Sequence, residues 1–145
     1  MSYISFKGYF YHISDKPLGK KPIFIPCIPR FSNCMELDFI KRISVSPSPE
    51  QCCIALPLQR NKKYYLYRTD REIIPKTACF IWDAHKTCEH WILQKTKMIF
   101  VCSFVCPINN TPDRGNKQWR KNIKIFRKLL ENYRDHTSHY LKGWK

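Results

Sequence analysis

The sequence predicts an α+β fold in a single domain, with strands first, one short helix in the middle and one long helix last. Its 145 residues are an ordinary length for one domain. Short aromatic and β-branched runs, interrupted by prolines, fill residues 1–106. Residues 107–145 show instead the spacing of an amphipathic helix. We therefore expect a core at residues 1–106 and a basic helical segment at 107–145.

Six runs rich in aromatic and β-branched residues are expected to form strands. They cover residues 3–13, 42–46, 64–67, 78–82, 90–93 and 98–105. Four prolines between residues 17 and 31 predict extended or looped chain there, because proline fixes φ and lacks an amide donor.

A short helix is expected over residues 49–56. Ser48 is a favourable N-cap residue, Pro49 suits the first helical position, and Gln51 is placed to complete a capping box. Pro57 then ends the helix, because its ring cannot continue the hydrogen-bond ladder.

A long basic helix is expected near the C-terminus. Apolar residues recur there at helical spacing, namely Trp119, Ile123, Phe126, Leu130 and Tyr133. Six cations on the other faces are candidates for contact with nucleic-acid phosphates: Lys117, Arg120, Lys121, Lys124, Arg127 and Lys128. Residues 117–145 hold nine Lys and Arg against two acidic residues.

The composition narrows the class of protein. Lys and Arg number 26 against 11 Asp and Glu, a net charge of +15, so we expect a polyanionic partner, nucleic acid first and an acidic protein second. The four glycines lie too far apart for a dinucleotide-binding or phosphate-cradling loop, which excludes Rossmann dehydrogenases and P-loop NTPases. The chain shows no apolar run of about 18 residues and no secretory leader. We therefore expect no membrane span and a reducing, cytoplasmic location.

The eight cysteines never form a CxxC pair. Two-residue spacing is the usual signature of a zinc site, so no metal site is predicted. In a reducing compartment, buried free thiols are the expected state.

Three short motifs hold the residues best suited to chemistry. Residues 11–14 (YHIS) end the first strand, residues 41–55 (KRISVSPSPEQCCIA) join a strand to the short helix, and residues 89–93 (EHWIL) bring a carboxylate into an apolar strand. Their order resembles that of the ADP-ribosyltransferases, whose strands present in turn a His or Arg, a Ser-x-Ser or Tyr, and a late Glu. Residues 11–93 also resemble small phage and bacterial proteins that share these motifs and a Pro-x-x-Pro, here at 26–29.

The resemblance implies a split β-sheet core, NAD as substrate and Glu89 as the catalytic residue. A fixed carboxylate would stabilise the positive charge that develops on the ribose as the nicotinamide–ribose bond breaks. Thr87 stands where protein-directed members often carry Glu or Gln, which argues against arginine or asparagine as acceptor. The residues implied to bind NAD are His12, Ser44, Ser46, Arg30 and Arg42.

We therefore expect an NAD-dependent ADP-ribosyltransferase that modifies a macromolecule, nucleic acid rather than protein, in a bacterium or the host cell of a phage. Two other functions fit the sequence: a non-catalytic nucleic-acid-binding module, and an inhibitor that sequesters an acidic partner.

Each motif also has a purely structural interpretation. His12 can be a satisfied strand histidine, the serine pair can simply face outward, and Glu89 can form an exposed ion pair with Lys95 or Lys97.

Overall fold

The computed structural model describes residues 7–28, 41–77, 89–111 and 117–133. Within these ranges the chain is α+β, as the sequence predicts, and every strand pair is antiparallel. The strands are β1 (Tyr11–Ser14), β2 (Ile23–Phe24), β3 (Ile43–Val45), β4 (Lys63–Thr69), β5 (Lys76–Thr77), β6 (His90–Ile92) and β7 (Thr96–Val105). The helices are α1 (Pro49–Ile54) and α2 (Lys117–Leu129), followed by a 3₁₀ turn at Glu131–Tyr133. The strand expected at 78–82, residues 3–6 of the one expected at 3–13, and Arg30 fall outside the described residues. The prediction of that first strand was too long, because residues 7–10 are described and the strand begins only at Tyr11.

The strands form two sheets. A four-stranded sheet has the order β1-β4-β7-β2, and a three-stranded sheet has the order β3-β6-β5. Single bridges, Tyr11 to Ser46 and Cys27 to Arg42, join the two sheets. The first and second motifs of the sequence are thus brought side by side by backbone hydrogen bonds, 2.8 and 3.0 Å long at Tyr11 and Ser46.

Two apolar clusters hold these layers together. The larger one joins α1 and α2 to one face of β1, β4 and β7 through residues such as Ile13, Leu66 and Phe126. The smaller one lies between the two sheets and includes Val45 and Tyr67. Because α2 contributes to the larger cluster, the helical segment shares one core with the strands.

Helix α1 begins as its sequence predicts. The Ser48 hydroxyl accepts from the Gln51 amide at 3.4 Å and donates to the Gln51 side-chain oxygen at 2.7 Å. This differs from the usual capping box, in which the Gln side chain bonds the N-cap backbone amide. The helix ends at Ile54, two residues before the predicted end at 56.

Helix α2 corrects the prediction of a long basic C-terminal helix. It spans 13 residues and ends at Leu129. The last α-type bond runs from the Leu130 amide to Phe126, after which the Tyr133 amide returns to Leu130 in a 3₁₀ turn. Tyr133, which was expected on the apolar stripe, is 41% exposed. Among the described residues Leu130 is the last that the core buries, so the exposed residues 131–133 lack the packing that stabilises a helix.

A buried amide network fixes the two helices against the sheet. Asn110, in the loop after β7, donates its side-chain NH₂ to the carbonyls of Cys53, Ile54 and Leu56 at 3.2, 3.2 and 2.6 Å. These carbonyls lie at the C-terminal end of α1, beyond its regular hydrogen-bond ladder, and those of Cys53 and Leu56 also accept from the Leu56 and Leu58 amides at 3.2 and 2.9 Å. The Asn122 side chain of α2 donates to the Asn110 oxygen at 3.0 Å.

Candidate functional site

The strands that carry the three sequence motifs lie next to one another. Strand β1 meets the end of β3 at the Tyr11–Ser46 bridge, and β3 pairs with β6 through Ser44–Trp91 and Val45–His90. Continuing this antiparallel register by one residue sets Glu89 opposite Ser46. Segments that are more than 30 residues apart in the sequence therefore meet at one place in the fold.

The Glu89 carboxylate is half-buried and held in place. Its Oε2 accepts a hydrogen bond from the Trp91 indole Nε1–H at 3.0 Å. The Trp91 ring, 3% exposed, lies beneath the Arg42 guanidinium, whose central carbon is 4.3 Å from the ring centroid. Residues 89 and 91 lie on the same face of a strand, which is why their side chains can bond. This geometry differs from the structural alternative of an exposed Glu89 paired with a lysine.

Arg42 does not occupy the place expected of a pyrophosphate ligand. The residue is 2% exposed and its guanidinium stacks on Trp91. A buried, stacked arginine has little reach for a soluble dinucleotide, whereas it fixes the indole that bonds Glu89. We therefore reassign Arg42 to the support of Trp91.

Ser46 faces the short helix. It is buried, and it lies close enough to the Cys52 thiol to lower that group's pKa in part. Burial is the larger influence and raises the pKa of Cys52 to about 12, and the Glu50 and Glu89 carboxylates add to the rise. Cys52 also donates to the Tyr11 carbonyl at 3.0 Å. Cys52 is therefore protonated at neutral pH and serves to fasten α1 to the motif strands.

The His12 side chain contacts the second motif at the backbone carbonyl of Ser44. Its Nδ1 lies 2.9 Å from the Ser44 carbonyl oxygen, which can only accept, so Nδ1 carries the proton. The ring packs edge-on against Phe24 with centroids 4.9 Å apart. Burial lowers the pKa of His12, and the bond to Ser44 opposes that change in part. The imidazole is therefore neutral at pH 7, with the lone pair of Nε2 available as an acceptor.

The predicted residues fall into two groups, on opposite sides of the sheet formed by β3 and β6. Ile43 and Val45 face the smaller apolar cluster, so Ser44 and Ser46 face the other way, together with Glu89. His12 lies on the side of that cluster, next to Phe24 and opposite Tyr67 in the register of β1 and β4. The structure thus brings Ser46 and Glu89 together, and it joins His12 to them through the backbone of Ser44.

The cationic residues of α2 also fall into two groups, those exposed to solvent and one that contacts the core. Lys117 begins the helix, and Arg120, Lys121, Lys124 and Lys128 are exposed. Arg127 is the exception, because its Nε lies 3.4 Å from Oε2 of Glu50, a fully buried carboxylate. Arg127 therefore serves the contact between α2 and α1 rather than an external phosphate.

The described cysteines are all free, and four are buried: Cys52, Cys53, Cys102 and Cys106. Burial raises the pKa of each of these thiols. Among the residues that the structure describes, no cluster of three or more His, Cys, Asp or Glu side chains could hold a metal ion. No helix in this part of the chain is both long and apolar enough to cross a membrane.

Comparison with known proteins found no matching family model, no matching curated protein and no matching solved structure.

Sequence reasoning missed several residues around the site. The contact between Trp91 and Glu89 could have been predicted, because an acid and an indole two residues apart on a strand share one face. The roles of Glu50 and Asn110 could not have been predicted from the sequence, since each depends on a partner more than 50 residues away.

Proposed function

We propose that this protein transfers ADP-ribose from NAD to a nucleic acid, with Glu89 as the catalytic carboxylate. The single observation that supports this most is the meeting of the three motif strands, with Glu89 opposite Ser46 and His12 bonded to Ser44. Their order along the chain is the order that the ADP-ribosyltransferase resemblance implies. The fold-level resemblance is part of the same proposal.

In the proposed reaction the bond between C1′ of the nicotinamide ribose and the nicotinamide nitrogen breaks. The nicotinamide leaves with the bonding electron pair, and positive charge develops on the ribose. A carboxylate held by the Trp91 indole is preorganised to stabilise that charge, because it needs no rearrangement as the charge appears. A nucleophilic N or O atom of the acceptor then bonds C1′ and gives up its proton.

His12 suits a binding role in this scheme. Its neutral ring presents Nε2 as an acceptor for a ribose hydroxyl, while Nδ1 is committed to Ser44. Because His12 and Glu89 lie on opposite sides of the sheet formed by β3 and β6, the proposal places NAD across the junction of the two sheets. At this junction β1 and β3 share the Tyr11–Ser46 bridge, and each then continues in a different sheet.

The test is transfer of labelled ADP-ribose from NAD to DNA, RNA or lysate protein. We expect the wild-type chain to label nucleic acid, and we expect Glu89→Gln to lower the rate by roughly 100-fold, the usual loss for a charge-stabilising group. Glu72→Gln is the matched control, since Glu72 is an exposed carboxylate outside the three sequence motifs. Absence of labelling by the wild-type chain, or equal labelling by Glu89→Gln, would refute the proposal.

A second function, nucleic-acid binding without catalysis, is favoured by the four exposed cations of α2. Retention of nucleic acid that needs no NAD and is equal in wild-type and Glu89→Gln protein, without any label transfer, would support it over the transferase.

A further inference from the structure

Helix α2 presents a face made of cations alone. Arg120, Lys121, Lys124 and Lys128, here called the cationic face, are all exposed, whereas Trp119, Ile123, Phe126 and Leu130 on the opposite side are buried in the core. Core packing fixes the helix, so the four cations project from a rigid support. None of the four bonds or pairs with another side chain of the described residues.

The cationic face is unfavourable for the helix itself. Lys117–Leu129 contains no acidic residue, so Arg120–Lys124 and Lys124–Lys128 are like-charge pairs at i,i+4 that destabilise a helix. Arg120 and Lys121 also lie near the N-terminal end, where the helix dipole repels cations. A face that served solubility alone would be expected to mix both signs of charge. An external polyanion would remove this repulsion.

The spacing and the composition of the face indicate the kind of polyanion. Residues four apart on a helix rise by about 6 Å along its axis, so Arg120, Lys124 and Lys128 form an evenly spaced row. The aromatic side chains of α2, Trp119 and Phe126, are buried, so the cationic face offers no ring on which single-stranded bases could stack. The row therefore suits fixed phosphates rather than splayed bases.

Groove width separates the two kinds of duplex. The major groove of B-form DNA is about 12 Å wide and admits an α-helix, whereas the major groove of A-form RNA is too narrow. We propose that the cationic face of α2 is a docking surface for the phosphate backbone of double-stranded DNA. As the acceptor site of a transferase this inference rests on the proposed function, but the docking itself requires neither NAD nor Glu89.

The test is the affinity of the full chain for one 20-base-pair sequence as duplex DNA, as single-stranded DNA and as duplex RNA, without NAD. We expect duplex DNA to bind at least tenfold more tightly than the other two. With four phosphate contacts, the logarithm of the binding constant should fall with that of the salt concentration at a slope of about −4.

Two triple variants localise the binding. K121Q/K124Q/K128Q should weaken duplex binding at least tenfold and reduce the salt slope by about 3. K16Q/K20Q/K21Q removes the same charge from exposed lysines outside α2 and should change the affinity less than twofold. The α2 variant loses like-charge repulsion, so its circular dichroism and melting temperature should match or exceed those of the wild type, which separates lost binding from lost folding.

The outcomes distinguish this surface from the proposed catalysis. If Glu89→Gln loses transfer but binds duplex DNA normally, both proposals stand, and if no protein transfers ADP-ribose while the α2 variant alone loses DNA, only the docking surface stands. Wild-type affinity in K121Q/K124Q/K128Q overturns the docking surface. So does equal or tighter binding of single strands or duplex RNA.

Discussion

At the scale of single residues, the site is defined by which atoms are already bonded. Nδ1 of His12 is committed to the Ser44 carbonyl and Oε2 of Glu89 to the Trp91 indole, so both side chains are oriented before any ligand arrives. The His12–Ser44 bond also satisfies the structural interpretation of a strand histidine. The feature that goes beyond it is the neutral ring, whose Nε2 stays available for a ligand.

The pH dependence of folding tests this state of His12. Burial lowers the pKa of His12 from its ordinary value of 6.5, so below that pH the unfolded chain takes up a proton that the folded protein resists. The His12 contribution to stability is thus complete above pH 6.5 and is lost as the pH falls toward the folded pKa. Urea unfolding at pH 7.5 and 5.5 should show a smaller decrease in His12→Asn, which keeps an NH donor for Ser44. An identical decrease in both proteins would contradict the assignment.

At the scale of elements, side chains from different segments decide where the helices begin, end and pack. Ser48 and Gln51 start α1, as local sequence signals predict. Asn110 bonds the carbonyls at the other end of α1, and Arg127 of α2 pairs with the buried Glu50. The helices are thus placed by contacts that local propensity does not contain.

Removal of the Asn110 amide should therefore loosen both helices. Asn110→Ala removes one hydrogen bond from each of three carbonyls and leaves the buried Asn122 side-chain amide without its acceptor, and we expect a loss of about 3 kcal/mol in the free energy of unfolding. Asn109→Ala is the matched control, because that side chain accepts one exposed bond from the Arg60 amide, and its loss should stay below about 1 kcal/mol. Equal losses in the two variants, measured by urea unfolding, would show that the network does not act as described.

At the scale of the whole molecule, the described residues pack into two apolar clusters and the sequence carries a strong net positive charge. The larger apolar cluster takes residues from β1, β4, β7 and both helices, which joins the segment after residue 106 to the strands before it. The sequence carries a net charge of +15, and the described cations of the cationic face are exposed. The larger cluster fixes α2 in place, and the exposed cations of that helix form the surface that we propose for DNA docking.

A pair of neighbouring residues tests whether α2 and the sheets unfold together. Phe126→Ala empties a fully buried site and should cost about 3–5 kcal/mol, whereas Ile125→Ala, at a side chain 37% exposed, should cost about 1 kcal/mol or less. In Phe126→Ala the helical signal at 222 nm and the tryptophan fluorescence should still shift to one common midpoint. Separate midpoints for the two signals would show that the helical segment folds independently of the strands.

The regular elements were the part of the fold most open to prediction. Strands β3, β4, β6 and β7, the start of α1 and the apolar face of α2 all lie where composition and periodicity place them. The length of α2 was overestimated, because apolar spacing continues to Tyr133 while residues 131–133 are exposed. For the site, the resemblance supplied Glu89 and Ser46, which do come together. It did not indicate that Arg42 would be buried and stacked on the Trp91 ring.

The sequence by itself determined the class of fold, the cap of α1, the amphipathic face of α2 and the cationic character of the molecule. Each of these depends on residues a few positions apart or on a simple sum of charges. Only the tertiary structure decided that Glu89 bonds Trp91, that His12 lies across the sheet from it, and that Arg127 turns inward to Glu50. The physical reason is that strand register and helix packing bring distant segments into contact. The free energy of those contacts cannot be predicted from residues that are close together in the sequence.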